Sequence, residues 1–380
     1  MPDTTTTYVF DEPASTDPLV CTIPSDGANA PRALAAEGDL PVVLRGRIED
    51  DDAFEAFGCD VRKANPATPD RVVPDVVVRR DVHTGANVTM PDGRSIRFWG
   101  FEDPTSSVRR PFPSPPIRVK EGQVVHTTLR SSKNTHTIHH HGIEPTPHND
   151  GVGHTSFEVD DVYTYQWKAS SAGSYFYHCH KNTVLHFELG MYGSLIVDPP
   201  QGKGFVRRAG EVISYHREMI WIPDDVDPLW HDPEIDHSTG VSCDFDSSQH
   251  LREFRPTYFL LSGVPHPRSR TDSRVALRCN VGERVVIRLL SAAYGPVEIK
   301  LPFDAEVISL DGHTLGGPKV GRYSRPFITP AGQPFVLTTA QRRDVLIVPD
   351  RKGTFTVPMD VMHWVRGVPH GRVEGTITVS

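Results

Sequence analysis

The chain of 380 residues has no apolar run approaching the ~20 residues that a membrane-spanning helix requires, so no membrane partner is expected. Its first ten residues, Met1 to Phe10, are polar and Thr-rich, without the basic start and apolar centre of a secretory signal. The expectation is a cytoplasmic protein, or an exported one whose signal has been removed. Cysteine is scarce. Cys21, Cys59, Cys179, Cys243 and Cys279 are odd in number and widely spaced, which gives no disulfide framework. There is no Ser-His-Asp elbow, phosphate-binding glycine loop or dinucleotide fingerprint. An excess of positive charge is missing too: the formal charge of −8 argues against nucleic acid and suits solubility.

Turn formers are plentiful, with Gly 30 and Pro 34, as a protein built of many short strands requires. Residues 1–75 have mixed composition and an acidic patch at Glu49 to Asp52, and are expected to form an irregular N-terminal extension. From Val76 the texture turns to β, with Val76-Val77-Val78, the turn Pro91-Asp92-Gly93, and Ile96 to Trp99.

An internal repeat organises the rest. Ile117 to Leu129 (IRVKEGQVVHTTL) resembles Leu277 to Leu289 (LRCNVGERVVIRL), each reading strand, Gly turn, strand. Gly173-Ser174-Tyr175-Phe176 is echoed by Gly353-Thr354-Phe355-Thr356, and Gly193 to Val197 by Gly375 to Val379. An offset of about 160 to 180 residues is a domain duplication, not a solenoid. Unit one is placed at 76–200 and unit two at 205–380, with Pro199 to Gly204 as linker.

Unit one carries two histidine clusters, His136 to Gly142 (HTIHHHG) and Tyr177 to His180 (YHCH), the latter followed by His186 and Met191. Period-two alternation along a strand puts His139 and His141 on one face and His140 on the other. It likewise puts His178 and His180 on one face and Cys179 on the opposite one, so a single strand can serve two metal sites. Cys179 thiolate, two imidazoles and a weak axial Met make the blue-copper donor set, which His136, Cys179, His186 and Met191 supply. His139, His141, His178 and His180 offer four nitrogen donors suited to copper on the other face. A lone Cys with a Met fits zinc poorly. His140, His148, His154 and Glu188 read as packed or solvated residues. The other four cysteines read as small hydrophobes.

These residues resemble the multicopper oxidases of the laccase group. His139-x-His141-Gly142, Asn149-Asp150-Gly151-Val152, Thr155 and Gly173 to His180 look like a laccase first domain, while Cys179, His136, His186 and Met191 look like the family's electron-entry site. The resemblance implies two consecutive cupredoxin-like Greek-key β-sandwiches, all-β, with a type 1 copper in the first. It implies His139 as a type 2 ligand, His141, His178 and His180 as ligands of a type 3 pair, and Asp150 as the acid that handles protons nearby. Unit two resembles the ligand-free middle domain at Phe259 to Gly263, Glu306 to Gly312 and Gln341 to Ile347. Aligned by the repeat, the six ligand positions His136, His139, His141, His178, Cys179 and His180 fall on Pro296, Ile299, Leu301, Pro358, Met359 and Asp360, and unit two contains no His-x-His.

In the family a trinuclear copper cluster takes four histidines from each of two domains. One chain here offers four in total. Either an interface between copies completes the cluster, which implies a homo-oligomer with a trimer as the family precedent, or His363 and His370 help, or the second site is reduced to a single type 2 copper. The expected function is a copper oxidoreductase that takes electrons from a small-molecule donor and gives them to dioxygen. The alternatives are a nitrite-reductase-like type 1/type 2 enzyme and a non-enzymatic blue-copper electron carrier.

Overall fold

A computed structural model describes residues 61–62, 73–107, 112–131, 135–145, 149–152, 158–159, 161–232, 254–316 and 325–380. Most of the expected N-terminal extension, and His148, His154, Cys21, Cys59 and Cys243, lie outside the described residues.

Strands dominate, arranged as two face-to-face sandwiches. In unit one, Ser95–Glu102, Val76–Thr89, Val124–Arg130 and Val162–Lys168 line up in that order as one sheet. Ile117–Lys120, Tyr192–Asp198, Gly173–His178 and His139–His141 form the other. Alternation along Val162–Lys168 turns Tyr163, Tyr165 and Trp167 into the core, where they meet Val125, Leu129, Cys179 and Met191. Each such side chain contributes about 1.5–3 kcal/mol by leaving water.

The pairing pattern recurs in unit two. Val76–Thr89 runs parallel to Val124–Arg130, as Arg217–Trp221 does to Val285–Leu290. Ile117–Lys120 runs parallel to Tyr192–Asp198, as Ala276–Cys279 does to Pro369–Val379. The register is kept to the residue: Gly173 faces Val197 and His178 faces Tyr192, while Gly353 faces Val379 and Pro358 faces Glu374.

The two units meet across a charged seam. Arg288, 1% exposed, donates to Glu218, to Asp344 and to Ser174 of unit one. Arg118 of unit one bridges Asp198 and Glu218. Burial pushes the Glu218 carboxyl up, but Arg288 and Arg118 more than offset this and hold it at about 2. Tyr175 donates its hydroxyl proton to the carbonyl of Gly312 at 2.7 Å. Gly312 has φ +82°, and a Cβ there would sit 2.1 Å from the Tyr175 ring, so both the turn and the approach require glycine. These contacts fix the tip of unit two's Ala305–Leu310/His313–Thr314 hairpin against the histidine-bearing sheet of unit one.

Candidate metal centre

The strand Gly173–His178 ends between two donor clusters. On the core side, Cys179 Sγ lies 3.3 Å from His186 Nδ1 and 3.6 Å from His136 Nδ1. All three side chains are buried, with ligand atoms within 4.8 Å of one another. His136 is pinned by paired backbone hydrogen bonds with Val159. His186 rides on the short helix Thr183–Glu188. Met191 is fully buried in the same core as Cys179, and its carbonyl accepts the Cys179 N–H at 3.0 Å.

On the opposite face His139, His141 and His178 form a second group within 4.8 Å, with His141 Nδ1 3.1 Å from His178 Nε2. Backbone carbonyls set the tautomers, because a carbonyl only accepts. His139 Nδ1–H donates to the Asp150 carbonyl and His178 Nδ1–H to the Cys179 carbonyl, each at 2.8 Å. Both rings therefore present Nε2 as a lone pair, the usual outer support of a metal-binding imidazole. The Asp150 carboxylate is 3.2 Å from His139 Nδ1. Gly151, at φ +72°, lets the chain pass so close to Ile138 that a Cβ would fall 2.0 Å from its carbonyl oxygen. His180 stacks beside His178, ring centroids 5.8 Å apart, but belongs to neither tight group.

The protonation preferences suit a bound cation. Burial pushes the Cys179 thiol up to about 11, so its thiolate needs a positive ion in contact. Burial, helped by the Arg342 charge, lowers His141 to about 3, and burial lowers His178 strongly. Both imidazoles are thus neutral donors at ordinary pH. Two imidazoles, a thiolate and an adjacent methionine fit type 1 copper, and three imidazoles fit a type 2 copper.

Two sequence expectations need amending, those for Glu188 and for His363 and His370, while His140 is packed as expected. Glu188 is not a solvated carboxylate: it is 4% exposed, accepts the Asp227 N–H at 2.9 Å, and lies 3.3 Å from His231 Nε2. Burial, then the charge of Asp225, raises its pKa well above the usual range. Unit two causes this by laying residues 223–231 across the helix, which no local pattern could announce. His140 is fully buried, its Nε2 3.1 Å from the Thr127 hydroxyl that also accepts from Trp167. His363 and His370 pair with each other on a unit-two hairpin, ring centroids 5.9 Å apart, away from both donor groups.

The sequence reading also missed a contribution from unit two. His139, His141 and Asp150 open onto a cavity of about 500 Å³ whose far wall is Asp311, His313, Gln341 and Arg342 of unit two. Searching unit two for a His-x-His passed over His313, because a single histidine in a turn carries no spacing signal.

The architecture is that of cupredoxin-fold copper proteins. A blue copper oxidase structure from Nitrosomonas europaea aligns with TM-score 0.58 and 22% identity, covering 80% of this chain and 86% of that one. Residues 95–202 match the family model described as multicopper oxidase. The L-ascorbate oxidase of Cucumis sativus is 30% identical over 196 residues, which is 49% of this chain and 30% of that protein. Copper resistance protein A of Escherichia coli is 32% identical over 130 residues, 33% of this chain and 20% of that protein. The matches thus span less than a third of the length of these two relatives. The family match falls on the unit that holds both donor groups.

Proposed function

We propose that the chain is a copper-dependent oxidoreductase that draws electrons from a small-molecule donor and delivers them to dioxygen. The observation that carries this reading is the shared strand. Cys179 belongs to one donor group and its neighbour His178 to the other, so one peptide links the two sites through covalent bonds. Copper, when bound, supplies one-electron redox chemistry at both positions. The protein's part is to position and to shield. His136, Cys179, His186 and Met191 sit in a dry core, where a fixed geometry keeps reorganisation on electron transfer small. Asp150 holds His139 by its carbonyl and keeps a carboxylate at the cavity's edge, where it can exchange protons with a bound substrate.

In this reading His180 and partner-chain histidines would enlarge the second site, and a homo-oligomer would supply the latter. The three-imidazole group favours one alternative: a single type 2 copper, as a nitrite-reductase-like enzyme would use. Copper count per chain with an EPR spectrum separates the two. Near four coppers per chain with type 1 and type 2 signals is expected of a complete oxidase. Two coppers per chain, with nitrite turnover and no oxygen uptake, would establish the alternative. Cys179→Ser is expected to abolish the intense thiolate-to-copper visible band, and a variant that kept the band would overturn the type 1 assignment.

A further inference from the structure

We infer that the buried Lys181–Glu158 ion pair is the tether that holds Cys179 against His136 in the thiol–imidazole group. This rests on the proposed type 1 copper and adds to it two positioning residues outside its donor set.

The need for a tether arises where the sheet ends. Strands His139–His141 and Gly173–His178 are neighbours, and the facing pair His139 and His178 is the last step of their ladder. His136 and Cys179 lie beyond that step, where the ladder no longer spaces the two chains. Yet Cys179 Sγ and His136 Nδ1 stand 3.6 Å apart.

Side chains take over there. Lys181 Nζ donates to Glu158 Oε2 at 2.5 Å, with Lys181 5% and Glu158 4% exposed. Lysine is seldom buried without a partner. Taking both charges out of water offsets much of what their attraction contributes, so stability alone is a weak reason for the pair. What the pair does is join the two chain segments. Glu158 precedes Val159, whose backbone makes the paired hydrogen bonds with His136, each at 2.9 Å. The same carboxylate oxygen accepts from the hydroxyl of Thr135, next to His136, at 3.3 Å. On the other side Lys181 follows Cys179 by two residues, and its carbonyl lies 3.7 Å from Cys179 Sγ. It also sits in the turn from which the helix carrying His186 departs. His136, Val159, Glu158, Lys181 and Cys179 thus close a ring of contacts around the donor atoms. An uncharged tie lies beside it, the His180 N–H on the Thr137 hydroxyl at 2.8 Å. That tie holds the backbone at His180, and the ion pair holds the turn that follows.

The test uses the full copper-loaded chain. Glu158→Leu is expected to shift the thiolate-to-copper band and the type 1 EPR signal. It should also speed release of that copper into excess EDTA roughly 10–100-fold, the range for outer supports of metal ligands. The type 2 signal should stay as in the wild type, since the second donor group lies outside the ring. Glu158→Gln, which still accepts from Lys181, should recover most of the wild-type spectrum and release rate. The double variant Lys181→Leu/Glu158→Leu separates positioning from folding. Apolar replacement of a buried ion pair is often neutral or stabilising, so its unfolding curve should match or exceed the wild type. Its band and its copper release should still be perturbed as in Glu158→Leu. Arg372→Ala, which breaks an ion pair of unit two, should change neither. A double variant with the wild-type spectrum and release rate overturns the inference, because the pair then serves folding alone. So does a folded Glu158→Gln chain as perturbed as Glu158→Leu, since the bond to Lys181 is kept there. A wild-type chain that takes up copper without any thiolate band would instead overturn the type 1 reading on which the tether rests.

Discussion

Between the strands Gly173–His178 and Tyr192–Asp198 of unit one, and between their counterparts in unit two, the same fold is put to opposite use. Up to His178/Tyr192 and Pro358/Glu374 the two hairpins share one register. Beyond that point unit two keeps zipping: Met359 faces Val373, Asp360 faces Arg372 and Val361 faces Gly371. Unit one stops. Its chain leaves the ladder after Cys179, takes a left-handed turn at Asn182 (φ 43°), winds the helix Thr183–Glu188 and returns at Met191. The two connecting segments are similar in length, so length does not decide the outcome. In unit two the Asp360–Arg372 ion pair and alternating residues reward continued pairing. In unit one the imidazoles and thiol that must converge at one point cannot all sit on a flat ladder, and the helix brings His186 back over Cys179. The loop that carries this thiol–imidazole cluster is an interrupted hairpin.

The largest expected effect comes from the two buried cysteines among the described residues, Cys179 of unit one and Cys279 of unit two. Cys179→Ser should remove the thiolate band entirely, whereas Cys279→Ser in the corresponding sandwich should leave the absorption spectrum as it is. An optical change in the second variant would mean that the units are less different than their structures.

Next is the seam that joins them. Arg288→Met leaves Glu218 and Asp344 buried with less positive charge, and should cost about 3–5 kcal/mol in denaturant unfolding. A cost below ~1 kcal/mol would show that the units are held by apolar contact alone.

Glu218→Gln should cost about 2 kcal/mol near neutral pH, with a telltale pH dependence. The folded-state pKa is depressed to about 2 from an ordinary value near 4.5. Its stabilisation is therefore fully present above about 4.5 and is lost as pH falls towards 2. Melting curves of wild type and variant should converge across that window. A gap that stays constant would exclude the ionised carboxylate as its source.

The smallest effect belongs to unit two's zipped hairpin. Arg372→Ala breaks a half-exposed cross-strand pair and should cost under ~1 kcal/mol, without altering copper content.

Much of this could be read along the chain. The repeat anticipated two sandwiches, and period-two alternation separated Cys179 from His178 and His139 from His140, because side-chain direction along a strand is a local property. Copper followed from donor chemistry, since few ions favour a thiolate, imidazoles and a methionine together. Other features were out of reach of any pattern. Glu188 looks like a surface carboxylate until residues 223–231 cover it. His180 has the same parity as His178 yet stays outside the tight nitrogen group, because the strand ends at His178 and alternation ends with it.

By itself, then, the sequence determined the kind of fold and which histidines share a strand face with which, both of which depend on neighbours a few residues apart. Only the tertiary structure decided which donors converge, which carboxylate is dry, and that His313 of the ligand-poor unit lines the same cavity as His139 and His141. Those outcomes depend on contacts between residues distant along the chain, 37 positions for His141 and His178, 39 for Glu188 and Asp227, and more than a hundred across the seam between the units.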